Sequence, residues 1–125
     1  MKIKKESDLQ KQIVDYLTIK AQRYNFFFYA ILNEAFMMTA MMMGMDKKTM
    51  AIIMMHLKKM GLIPGIPDLC IGYDACTYYL EVKKLGEVPN DIQKRIHALI
   101  KENGFQVVVV DNFEDAKRWI DLWIF

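Results

Sequence analysis

The chain has 125 residues, a formal charge of +2 and a pI near 8.5; that length supports one hydrophobic core and predicts a single domain over residues 1–125. So slight a positive excess permits nucleic-acid binding but excludes a protein that binds by charge alone. Residues 1–12 are charged and lack the apolar centre of a secretory signal, and the longest greasy run, residues 35–45, is short of the roughly 20 residues that cross a bilayer. The expectation is a soluble, cytoplasmic protein with no membrane partner, in which Cys70 and Cys76 are small hydrophobes in reducing surroundings.

Residues 5–23 read as an amphipathic helix, with Leu9, Ile13, Tyr16, Leu17 and the stem of Lys20 at helical spacing. Glu6 and Gln10 lie one turn apart on it. Ser7 with Gln10 makes an acceptable capping box, and by residue chemistry the cap is the preferred role of Gln10. Residues 26–32 form a continuous apolar, aromatic run, the pattern of a strand buried on both faces. Asn33-Glu34 ends the run, and Asn33 suits the cap of the next helix.

Every methionine except Met1 falls in residues 37–60. Asp46 followed by Lys47-Lys48 reads as a helix start and Gly61 as a stop, with Met50, Ile53, Met54 and Leu57 as the apolar face. Two short helices are therefore expected, broken near residues 44–46. Methionines 37, 38, 41, 42, 43 and 45 cannot share one helical stripe, so the first helix is greasy on more than one side. A partner subunit is the expected cover, since methionine adapts to such surfaces; burial in the chain's own core is the alternative. Lys47, Lys48, Lys58 and Lys59 are candidate phosphate contacts, and His56 reads as a surface or interface residue.

Residues 65–83 are the chemical centre of the sequence. Pro67 can start a strand but not sit inside a central one. Residues 68–72 and 77–82 carry the apolar, β-branched and aromatic side chains of two strands. If Asp74 and Ala75 are the loop of a hairpin, Asp68 falls opposite Glu81, with Cβ atoms about 4.5–5.5 Å apart. Lys83 then projects from the same face as Glu81. Asp-Ala is not a favoured pair for a primed turn, so the register is an expectation for the structure to decide. Two carboxylates so placed repel and raise each other's pKa. A divalent cation between them removes the conflict, and Mg²⁺ commonly takes one or two carboxylates. Such an ion polarises a phosphoryl oxygen and acidifies water, and Lys83 can orient that water or offset charge on the phosphate. A solvated edge hairpin without chemical consequence fits the same spacing.

Residues 86–90 read as a loop and 91–103 as a helix with Ile92, Ile96, Leu99 and Ile100 as its buried stripe. Gln93 and His97 share a side of that helix, off the stripe, and Lys94 and Arg95 are candidate backbone clamps. Residues 105–110 read as a buried strand. Asn112 caps a last helix over residues 113–122, with Trp119, Ile120 and Trp123 packing it down. The order predicts an α/β fold with a mixed central sheet of about four strands flanked by helices.

Gly65-Ile66-Pro67-Asp68, then Glu81-Val82-Lys83, then Gln93 in the following helix, resemble the PD-(D/E)xK nuclease superfamily and, more narrowly, the VRR-NUC (virus-type replication-repair nuclease) family. Glu6, Gln10 and Asn33-Glu34 are also similar to that family's pattern, so the resemblance spans nearly the whole chain. It implies a restriction-endonuclease-like core and a phage or prokaryotic endonuclease dependent on Mg²⁺ or Mn²⁺. The implied substrate is branched DNA, notably four-way (Holliday) junctions, cut by a homodimer in a bacterial or phage-infected cytoplasm. Asp68, Glu81 and the Val82 backbone carbonyl are then metal ligands, joined by Glu6 through water. Lys83 is the catalytic lysine, Gln93 supports the site, and Asn33 touches metal-bound water or a phosphate. The methionine-rich segment departs from the more polar or basic stretch expected there. Two alternatives stand: a monomeric nuclease of flaps or other branched DNA, and a non-catalytic DNA- or partner-binding module of the replication-repair machinery.

Overall fold

A computed structural model describes residues 6–125, the side chains of residues 34–36 excepted. Along the chain run α1 (Glu6–Lys20), β1 (Phe27–Ala30), α2 (Glu34–Met42), α3 (Lys47–Lys59), β2 (Leu69–Tyr73), β3 (Cys76–Val82), α4 (Asp91–Glu102), β4 (Gln106–Val110) and α5 (Phe113–Trp123). The strands form one mixed sheet in the order β1-β2-β3-β4; β1, β2 and β3 pair antiparallel, and β3 and β4 pair parallel across the α4 crossover. This is the α/β architecture expected, a mixed four-stranded sheet flanked by helices.

Strand side chains alternate between faces, and that alternation sorts the layers. Leu69 and Ile71 of β2, Leu80 and Val82 of β3 and Val110 of β4 lie on one face. They join Leu9, Ile13 and Leu17 of α1 and Ala116, Ile120 and Trp123 of α5 in the core. Lys20 of α1 and Asp121 of α5 close the edge of this layer at 3.0 Å. The opposite face carries Cys70, Tyr79, Asp68, Glu81 and Lys83, and α4 lies against it. At the far end of this face Phe27 rests on Gly72, where an added Cβ would come within 2.3 Å of its ring.

The hairpin register is as expected. Leu69 pairs with Leu80 and Tyr73 with Cys76, so Asp68 stands one step beyond, opposite Glu81. Asp74 and Ala75 turn the chain with φ of 51° and 64°, the left-handed pair of a type I′ turn, whose twist suits the flanking strands. An unfavoured pair thus adopts the favoured turn, because the apolar faces of both strands fix the register.

Four expectations need correction. Glu6 and Ser7 are already helical, so a Ser7–Gln10 capping box does not form the start of α1; Lys5 lies outside the described residues. β1 is an edge strand whose Phe27 and Tyr29 are 63% and 53% exposed, not a strand buried on both faces. β4 is the other edge, with Val107 and Val110 buried and Val109 exposed. In α4 the buried residues are Gln93 and His97, while Ile92 and Leu99 are half exposed; the helix is turned so that a polar pair faces the sheet.

The methionine-rich segment does form two helices broken near residue 44, with Asp46 capping α3 by accepting from the Thr49 N–H at 2.7 Å. Beyond packing on each other, α2 and α3 make only weak contact with the other regular elements. Met37 and Met50 are buried, but Met42, Met43 and Met60 are 70%, 83% and 72% exposed. Among the described residues no helix is long and apolar enough to cross a membrane.

Candidate active site

The start of β2, the end of β3, the residues after β1 and the first turns of α1 and α4 meet at one end of the sheet. The loop into β2 approaches α4 closely at Gly65. Its φ of +87° is left-handed, and a Cβ there would lie 2.9 Å from the Ile92 carbonyl oxygen, so glycine is the residue that fits. Asp68 follows. Its N–H donates to the Leu80 carbonyl at 3.0 Å, and its carbonyl accepts from the Ile31 N–H at 2.8 Å, which ties it to both neighbouring strands.

The Asp68 carboxylate is 4% exposed and held at both oxygens. Asn33 Nδ2 donates to Oδ1 and the Val82 backbone N–H to Oδ2, each at 2.7 Å. Asn33 thus contacts Asp68 directly, from the end of β1. Glu81 is 2% exposed. Gln93 Nε2 donates to its Oε2 at 3.3 Å, with Lys83 Nζ at 3.8 Å from the same oxygen, and His97 Nε2 lies 3.2 Å from Oε1. Gln93 works in two directions, because its Oε1 accepts from the Asn90 N–H while Asn90 caps the Gln93 N–H, a complete capping box at the start of α4.

Burial and the neighbouring Asp68 carboxylate push the Glu81 carboxyl up to about 9, against a smaller opposing pull from Lys83. Burial also raises Glu6, which is further raised by Asp68 and opposed by Lys83. Burial, with help from Lys101 and Lys83, lowers His97. At neutral pH the pair therefore holds a proton on Glu81 beside a neutral imidazole.

These groups open on a pocket of about 350 Å³, lined by Glu6, Asn33, Asp68, Glu81, Lys83 and Gln93 among others. A larger, mostly apolar groove of about 660 Å³ adjoins it and shares Glu6, Asn33 and Met38; Gln10 lines this groove and not the pocket. The structure therefore brings Glu6, Asn33, Asp68, Glu81, Lys83 and Gln93 together as candidates. Lys58, Lys59, Lys94 and Arg95 are exposed and not part of the pocket lining, and the Glu34 side chain lies outside the described residues. His97 is the residue that sequence reasoning left out of the site. The usable signal was its position four residues after Gln93.

Among the described residues, no group of three or more His, Cys, Asp or Glu side chains is gathered for a metal ion. The pair that is present, Asp68 with Glu81, has the hard oxygen donors and the number of carboxylates that Mg²⁺ commonly takes. Both carboxyl groups border the open pocket, so their oxygens are accessible from it as well as held by their partners. A divalent cation would offset the same charge that burial and Asp68 disfavour on Glu81. The residues fit a hard divalent ion. No family model matches the chain, and no curated protein matches it.

Proposed function

We propose that this protein is a divalent-cation-dependent endonuclease of the PD-(D/E)xK type that hydrolyses phosphodiester bonds in branched DNA. One observation carries the reading: two buried carboxylates, Asp68 and Glu81, stand side by side with Lys83 at the wall of an open pocket. A pair kept only for stability is poorly explained, because burying two carboxyls together, one ionised and the other forced to keep its proton, is a cost that apolar side chains would not incur. The resemblance in residues 65–93 supplies the substrate class.

Asp68 and Glu81, with Glu6 on the same pocket wall and the Val82 carbonyl next in the chain after Glu81, would hold Mg²⁺ or Mn²⁺, which would supply Lewis acidity toward a phosphoryl oxygen and water. The chain's own residues do the rest. Asn33 and the Val82 N–H fix Asp68, and Gln93 fixes Glu81. Lys83 places a compact ammonium where negative charge grows on the phosphate as a water oxygen bonds to phosphorus and an ester oxygen departs with a proton.

The exposed methionines of α2 and α3 favour the homodimer over the monomeric flap nuclease. Soluble monomers rarely show contiguous apolar patches above a few hundred Å², and pairing two such helical arms about a twofold axis hides both. Two sites in fixed relation suit the two scissile strands of a four-way junction. The test is a cleavage panel of labelled single strands, flaps, forks and four-way junctions, with and without Mg²⁺ or Mn²⁺. Cation-dependent cutting of branched substrates, lost in Asp68→Ala, is expected. Cutting without a divalent ion, or full activity in Asp68→Ala, refutes the proposal.

A further inference from the structure

The resemblance rests on Asp68, Glu81, Lys83 and Gln93 among others and does not draw on His97. That residue comes round to the same side of α4 as Gln93, one turn on, and is 6% exposed. It does not line the pocket. It meets Glu81 from behind, its Nε2 3.2 Å from Oε1. The other oxygen, Oε2, is the one beside the pocket-lining Gln93 and Lys83, at 3.3 and 3.8 Å. The last torsion of a glutamate is broad, so a carboxylate held at one oxygen can still swing. Opposed partners on its two oxygens fix its plane.

From this geometry we propose that His97 is a positioning residue that sets the Glu81 carboxylate so that Oε2 faces the pocket and a divalent cation there. The inference rests on the metal-dependent reading above. An imidazole that merely fills space behind Glu81 is replaceable by an apolar side chain of similar bulk without effect on ion binding. One that orients Glu81 is replaceable only by a group that reaches Oε1 with a polar hydrogen. Partners that orient metal ligands typically change metal affinity 10–100-fold when removed.

The experiment is calorimetric titration of Mn²⁺ into the full chain, with thermal melting of the metal-free protein as the measure of folding. His97→Leu is expected to lower Mn²⁺ affinity about 10–100-fold, and His97→Gln, whose amide can reach Oε1, to stay close to wild type. His97→Asn, on a shorter stem, is expected to behave as His97→Leu and carries the test if the leucine variant does not fold. Wild-type affinity in a folded His97→Leu or His97→Asn, or a His97→Gln as weak as either, overturns the positioning role alone. A wild-type chain that binds no Mn²⁺ overturns the metal-dependent reading, and this inference with it.

Discussion

Glu81→Gln tests the electrostatics of the site without any assumption about substrate. The folded protein keeps the Glu81 proton up to about pH 9, whereas an unperturbed glutamate releases it near 4.5. Between those values the folded state binds one more proton than the unfolded chain. Stability therefore falls as pH rises, by about 1.4 kcal/mol per pH unit, and is fully present only below the lower value. The interval from pH 7 to 8.5 is the cleanest window. His97, lowered from 6.5, works in the opposite sense but only below its ordinary value, and Asp121, held at about 2, acts only in acid. Across that window metal-free wild type should lose about 2 kcal/mol. Glutamine keeps the shape of the protonated side chain and cannot ionise, so the variant should be flat there and more stable than wild type at pH 7, by up to roughly 3 kcal/mol. Urea denaturation in the presence of a chelator measures both quantities. Mg²⁺ should restore stability more at pH 8.5 than at pH 7, because the ion competes with the proton. A wild type with no slope, or a Glu81→Gln variant with the same slope, refutes the picture of a shared, desolvated charge.

Lys83→Ala should retain Mn²⁺ binding in calorimetry while losing turnover, because its ammonium acts on charge that appears only in the transition state; an intact rate with weakened ion binding reverses the assignment. Glu6→Gln should slow cleavage more than Gln10→Ala, since Glu6 lines the pocket and Gln10 only the neighbouring groove; equal rates for the two variants remove Glu6 from the site. Ala75→Gly should raise the melting temperature, a gain of about 0.5–1 kcal/mol from relieving a left-handed alanine, with cleavage unchanged. Replacing both Met42 and Met43 with Glu should give a monomer in sedimentation that nicks junctions without coordinated double cleavage. A wild-type monomer at micromolar concentration removes the dimer, and the preference for junctions with it.

The register of the central hairpin was legible in the sequence because a two-residue loop at Asp74 and Ala75 fixes the pairing, and that pairing keeps Leu69, Ile71, Leu80 and Val82 on a common face. That pairing alone puts Asp68 beside Glu81. The break between α2 and α3 was legible from Asp46, whose capping role is local chemistry. The exposure of β1 was not. An apolar run such as residues 26–32 records what a strand could bury, whereas being an edge depends on which elements lie beside it. The two helices that follow β1, α2 and α3, pack mainly on each other. The rings of Phe27 and Tyr29 stack together, at 6.5 Å and 11°.

The orientation of α4 was misread for a reason that bears on the site. Counting apolar residues chose Ile92, Ile96, Leu99 and Ile100 as the inward stripe, which treats the opposing surface as uniformly greasy. The opposing surface contains Glu81. Leaving Ile92 and Leu99 half exposed forgoes about 1 kcal/mol each, whereas a buried carboxyl without hydrogen-bond partners costs 1–3 kcal/mol or more. Bringing Gln93 and His97 to Glu81 removes that penalty, and the Asn90–Gln93 capping box fixes the helix at the required rotation with no further change. The inward face of a helix is therefore set by the most demanding group opposite it, not by its own greasiest stripe. Read that way, the polar pair four residues apart in α4 marks where the buried carboxylate lies.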